Sequence, residues 1–173
     1  MRLLSLQKGE RKIGIEESIS THFLFPTKKV KASAPIPFTI YGKPQPKQRP
    51  RVLKRGFTYT PKETKEYEER IRWAALEAGC WEHEGPVALD IYAYFAIPKS
   101  EKGIEEGDPR TKRPDWDNLG KIVSDALEGV CYKEDSQVVM AKVVKMYSVE
   151  PRLDVVVLYM NKEDGGLILP RAG

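Results

Sequence analysis

The sequence is poor in the residues with which small proteins staple themselves, having 2 cysteines, Cys80 and Cys131, and 2 histidines, His22 and His83, among 173 residues. None stands in CxxC or HxxxH spacing, so a structural zinc site or disulfide framework is not expected. Long hydrophobic runs are also missing. The longest, Val155 to Met160, falls far below the roughly 18 residues that a membrane span requires. Met1-Arg2-Leu3-Leu4-Ser5-Leu6 starts like an export signal, but Gln7-Lys8-Gly9-Glu10 ends the apolar stretch before a signal core forms. A soluble, cytoplasmic protein is expected. Neither sign of charge dominates, since 29 Lys+Arg against 25 Asp+Glu leave +4. With 40% hydrophobic and 31% charged residues the chain has enough apolar surface for a core, which argues against wholesale disorder.

Residues 1–35 hold no sustained period of 2 or 3.6 and end in the basic, small-residue stretch Lys28 to Pro35, as an extension and linker would. The compact domain is expected over 36–162, with 163–173 as a tail. Phe38 to Tyr41 reads as a short strand stopped by Gly42 and Pro44. Thr60-Pro61 announces a helix over about Lys62 to Ala78, with Tyr67, Ile71, Ala74, Ala75 and Ala78 on one face and Gly79 ending it. Val87 to Ile97 is the best strand, and the charged segment from Pro98 to Pro114 reads as a mobile loop. A second helix, about Asn118 to Glu128, carries the apolar stripe Leu119, Ile122, Val123, Ala126 and Leu127 and is closed by Gly129. Strands at about Gln137 to Tyr147 and Leu153 to Met160 follow, joined by a turn at Glu150-Pro151. The order β-α-β-α-β-β predicts a single α/β domain, α+β-like, with a mixed or antiparallel sheet of about four strands and two main helices.

The residues with chemical potential gather around the second helix. Asp115 and Asp117 flank Trp116 at its start, Lys121 lies one turn in, and Glu134-Asp135 follows its end. In an extended approach to the helix, alternate side chains point the same way, so Asp115 and Asp117 would share one ion. Oxygen donors without His or Cys favour Mg²⁺ or Mn²⁺. Lys121, four residues after Asp117, would stand beside that ion and meet a phosphate oxygen. The same spacing also suits a plain capping aspartate and a solvated turn. Against that, a helix of about eleven residues is only about 17 Å long, and a chain returning alongside it brings Asp135 back toward the two aspartates. A second clue is the segment Gly42 to Thr60, which has Lys43, Lys47, Arg49, Arg51, Lys54 and Arg55, no acid, and the aromatics Phe57 and Tyr59. That composition suits a phosphate backbone. Together the clues suggest metal-assisted phosphodiester hydrolysis.

These residues also form a recognisable pattern. Arg113-Pro114-Asp115-Trp116-Asp117-Asn118-Leu119-Gly120-Lys121, then Asp125-Ala126-Leu127, then Tyr132-Lys133-Glu134-Asp135-Ser136-Gln137-Val138 resembles the RusA family of Holliday junction resolvases. Gly42-Lys43-Pro44-Gln45-Pro46-Lys47-Gln48-Arg49-Pro50-Arg51 has a form seen in many members. The resemblance spans about 38–160 and implies a small α/β homodimer that nicks opposing strands of four-way DNA junctions with Mg²⁺ or Mn²⁺. By position it implies Asp115, Asp117 and Asp135 as metal-binding acids and Lys121 as the catalytic lysine. Where members often have Asp-Asp, this chain has Glu134-Asp135, so Glu134 is expected to stand behind the ligands.

Asn118 would either hold a metal-bound water or orient Asp117, or be an ordinary helix-start residue. Asp125 is expected to pair with Lys121 along the helix. Trp116 is expected to pack beneath the site, and Trp73, Trp81, Tyr92 and Tyr94 to lie in the core or a dimer surface. His83 is expected in an exposed loop, and Cys80 and Cys131 as buried, inert thiols. Branched DNA and a second copy of the chain are the expected partners, with no membrane and no small-molecule cofactor. Two other functions share these features: a branched-DNA-binding dimer that does not cut, and a nuclease acting on flaps and forks.

Overall fold

Runs of β-branched and aromatic residues form the sheet of the computed structural model, which describes residues 34–49, 51–52, 58–100 and 102–160. In chain order the elements are β1 Ile36–Tyr41, β2 Arg51–Val52, β3 Thr58–Tyr59, α1 Lys62–Glu77, β4 Val87–Ala96, α2 Trp116–Leu127, β5 Val138–Ser148 and β6 Arg152–Tyr159, with a 3₁₀ turn at Asp135–Gln137 before β5. The main sheet has 4 strands in the order β1-β6-β4-β5, and β2 and β3 make a separate two-stranded hairpin. Only β4 and β5 run parallel, so the chain between them must cross over, and α2 is that crossover. The expected mixed α/β architecture in one domain is therefore observed. Residues 1–33 of the extension expected over 1–35, the tail over 163–173, and Phe57, Lys54 and Arg55 lie outside the described residues.

Packing follows the periodicities. On α2 the stripe Leu119, Ile122, Val123, Ala126 and Leu127 is fully buried. On α1, Thr64, Tyr67, Ile71 and Ala75 face inward. Both helices meet the alternate positions Val87, Leu89, Ile91, Ala93 and Phe95 of β4 in one core. Each such aliphatic side chain contributes roughly 1.5–3 kcal/mol when fully buried. Gly79 and Gly129, at φ 85 and 73, end the two helices in a backbone region that other residues avoid.

Several local expectations are corrected. Strand β1 begins at Ile36 rather than Phe38 and includes Pro37, which an edge strand tolerates because its missing N–H faces away from the ladder. Ala78 lies past the end of α1 and is exposed, not inward. The basic segment contains a β2–β3 hairpin, pairing Arg51 with Tyr59, that the sequence did not suggest. The loop after β4 is docked rather than loose. Gly107 and Arg110 N–H groups donate to Tyr147 and Lys145 carbonyls at 2.9 Å each, and Tyr147 N–H returns a bond to Asp108 at 2.9 Å. The loop thus satisfies backbone groups that edge strand β5 would otherwise leave unpaired.

Because Ile122 is fully buried in that shared core, Ile122→Ala is expected to destabilise the fold by about 2–5 kcal/mol in urea unfolding.

Candidate nuclease site

The start of α2 is fixed from β5. Lys145 Nζ donates to the carbonyls of Lys112 and Pro114 at 3.0 and 2.9 Å, holding the approach to the helix. Asp115 occupies the N-cap position with no side-chain capping bond, and Asp117 lies in the first turn. Both are exposed, where the positive end of the helix favours a carboxylate. The helix starts two residues earlier than the sequence reading placed it. Asp115 and Asp117 are therefore separated by a helical step of roughly 100° per residue instead of the strand-like alternation expected, and they face different concavities. Asp117 lines a groove of about 310 Å³ between α2 and β5, shared with Lys121, Asp125 and Asp135. Asp115 lines a neighbouring cleft with Asn118, Lys43 and Lys47.

Helix α2 comes close to β5 at Gly120, where an added Cβ would just touch Val143 Cγ2 at 3.4 Å. Trp116, one turn earlier on that face, is 64% exposed at the rim and not packed beneath the site. The small side-chain volume at Gly120 leaves the indole nothing on its own helix to bury against.

Asp135 reaches the groove on a turn that Gln137 locks. The Gln137 amide donates to the carbonyls of His83 and Gly85 at 2.7 and 2.9 Å, and its oxygen accepts from the N–H groups of Lys133 and Glu134 at 2.9 and 3.0 Å. All four hydrogen-bonding positions of the amide are filled. Glu134 caps this turn and accepts from Ser136 Oγ at 3.4 Å. Its extra methylene serves the turn, and Asp135 is the acid that lines the groove.

Charge in the site is organised by Lys47. Its ammonium lies 2.5 Å from Glu68 Oε1 on α1 and 2.5 Å from Asp125 Oδ2 on α2, with the side chain 20% exposed. Its backbone N–H donates to Asn118 O at 2.9 Å. Burial works against the charged form, but the bonds from Asp125 and Glu68 outweigh it and raise the Lys47 pKa above 10.5. Lys47 was expected on phosphate; here it joins three elements. Lys121 is held more loosely, 3.5 Å from Asp125 Oδ1 and 61% exposed, so its ammonium is available at the groove mouth. The expected helical pair is present, with Lys47 as the stronger partner of Asp125.

The remaining basic residues divide. Lys43 and Arg49 are exposed. Arg51 is described in strand β2 through its backbone. His83 is half-buried, its Nε2 3.1 Å from Met160 O and its ring 5.0 Å from that of Tyr159, in place of the exposed loop position expected. Cys80 and Cys131 are buried free thiols that line neither concavity. Contact with Cys80 and burial push the Cys131 thiol up, so it remains protonated.

Among the described residues no three His, Cys, Asp or Glu side chains converge tightly enough to hold a metal ion unaided. Asp117 and Asp135 share the groove, and Mg²⁺ is commonly held by one or two carboxylates together with waters and substrate phosphates. The donor set fits such an ion. The structural roles of Gln137, Glu68 and Lys145 were not legible in the sequence; of the three, only Gln137 carried a signal, through its place in the quoted Glu134 to Val138 stretch and three residues after Glu134.

The chain was also compared with known proteins. Residues 41–158 match the family model described as endodeoxyribonuclease RusA. The chain is also 39% identical over 140 residues to the uncharacterized protein YqaN of Bacillus subtilis (strain 168), with 70% of this chain and 94% of YqaN covered.

Gln137→Ala leaves four backbone groups without their partner and is expected to lower stability by about 1–3 kcal/mol, measured by thermal and urea unfolding. Lys47→Met is expected to destabilise by a similar amount. Since the folded pKa of Lys47 is raised, that difference should hold from neutral pH up to about 10.5 and shrink above it, as parallel unfolding curves would register.

Proposed function

The chain belongs to the RusA endodeoxyribonuclease family, and from that premise we propose that it resolves four-way DNA junctions by divalent-metal-dependent paired phosphodiester hydrolysis, acting as a homodimer. The observation that carries this reading is the groove in which Asp117, Asp135 and Lys121 meet beside an acid-poor, lysine- and arginine-lined cleft.

Asp117 and Asp135 would hold Mg²⁺ or Mn²⁺ in the groove, and Asp115, which lines the adjoining cleft, would have to turn toward the groove to join them. Such an ion polarises a phosphoryl oxygen and lowers the pKa of bound water. Lys121 stands at the mouth of the groove, where its ammonium would neutralise charge developing on the scissile phosphate. Asp125 tethers that ammonium without capturing it, because Lys47 occupies its other oxygen. Trp116 and the apolar β5 residues Val138, Ala141 and Val143 give the groove a wall that limits water. Lys43 and Arg49, both exposed, would meet the backbone of a junction arm, as would Arg51, Lys54 and Arg55 by sequence. Two symmetric cuts across a two-fold junction call for two equivalent sites, which a homodimer supplies.

The test is incubation of purified protein with mobile and immobile four-way junctions, flaps, forks and linear duplex in Mg²⁺, Mn²⁺ and EDTA. Paired nicks confined to the junctions and dependent on metal are expected. Asp117→Asn should abolish them while sparing junction binding, and Lys121→Ala should slow them about 100-fold or more. Equal cutting of flaps and forks would replace the resolvase reading with a broader nuclease. Tight binding without nicks would leave a binding dimer. Light scattering in solution reads the expected two-chain mass.

A further inference from the structure

The cleft that Asp115 lines, on the far side of the α2 start from the groove, has a volume of about 450 Å³ and is walled by Lys43, Gln45, Arg110 and Arg113. We propose that it is a subsite for one nucleotide of the cut strand next to the scissile phosphate, gripping its phosphate through Arg110, Arg113 and Lys43 and reading its base through Gln45. The proposal rests on the nuclease reading for its location relative to the cut.

Arg110 is the central observation. Its guanidinium carbon lies 4.5 Å from the Phe95 ring centroid and 5.3 Å from that of Tyr147, and one terminal nitrogen donates to Arg113 O at 2.6 Å. Its backbone N–H is tied to Lys145 O at 2.9 Å. The cation is thus held by two rings and a carbonyl, away from free rotation. Its Nε is buried with no hydrogen-bond partner, and the ion pairs among the described residues do not include it. A fixed, partly desolvated guanidinium without a counter-charge is a site built for an anion. Lys43 and Arg113 are exposed on the same cleft, and Asp115 is its one carboxylate.

The rest of the lining argues for a nucleotide over a bare phosphate. The volume is within the range of small-molecule pockets, well above what one phosphate fills. Pro44 and Pro46 are among the lining residues, and Gln45, half-buried between them, has an amide that both donates and accepts, as base edges require. Neighbouring Asp115 joins this cleft to the helix start beside the groove, so a strand bound at one would continue into the other.

The test is equilibrium binding in EDTA to a set of four-way junctions identical except for the base at the crossover, with a salt titration for each. Wild type is expected to discriminate among the four by about tenfold. Gln45→Leu should flatten that ranking and leave the salt dependence alone. The double variant Lys43→Gln/Arg113→Gln alters only exposed side chains. It should weaken all four complexes alike and reduce the slope of log K against log salt by about 1.8, 0.9 for each lost phosphate contact. A wild type indifferent to the base, a ranking that survives Gln45→Leu, or an unchanged slope in the double variant would each overturn the subsite. Nicking in Mg²⁺ is scored separately: no nicks from a protein that keeps these binding differences sinks the nuclease reading alone, whereas nicks without base discrimination sink the subsite alone.

Discussion

The rotation of α2 about its own axis is the constraint on which the rest of this protein depends. The stripe from Leu119 to Leu127 is wholly buried against the sheet, and turning the helix by one residue would expose it. Burial of several aliphatic side chains, each worth roughly 1.5–3 kcal/mol, therefore fixes where the opposite face points. Asp117, Lys121 and Asp125 reach the groove because the core leaves them no other direction. At Gly120 the helix lies close on Val143 of β5. The chemistry is aimed by hydrophobic packing, and the polar residues inherit their positions from it.

Electrostatics then refines the arrangement. Lys47 draws a segment with no acids of its own onto α1 and α2 through Glu68 and Asp125. A lysine spent in this way leaves the binding of phosphate to its neighbours, and it also determines what Asp125 has left to offer Lys121. Gln137 does the equivalent for the acidic turn through neutral bonds to four backbone groups. Both residues act by satisfying partners on distant segments, and neither needs to touch a substrate.

Those distances explain what the sequence could disclose. Element boundaries were legible within about two residues because periods of 3.6 and 2 are local properties, and the stripe on α2 named the core directly. The acids and Lys121 were legible for the same reason, being grouped at the ends of one helix. The shared orientation of Asp115 and Asp117 was misjudged because it turned on whether Trp116 is helical, a boundary question of two positions. The commitments of Lys47 to Glu68 and of Gln137 to His83, across sequence separations of 21 and 54, carry no periodic signature. Arg110 was hidden in a charged loop whose docking depends on β5 having an open edge. Trp116 was assigned to the interior from its chemistry, when the neighbouring glycine had already removed its shelter.

The place of β6 in the sheet has a bearing on how the molecule is made. It is the last of the described strands, yet it lies between β1 and β4, with Ile36 opposite Val157 and Thr39 Oγ1 bonded to Asp154 Oδ1 at 2.8 Å. Until it arrives, β1 has no neighbour and β4 lacks one of its two. Pairings of such long separation form late, because the loop they close is costly in entropy. A nascent chain that already carries every acid, Lys121 and the basic segment still has an unfinished sheet beneath them. The groove between α2 and β5 therefore stands on a sheet that β6 completes, and a chain cut short before β6 leaves β1 without its partner.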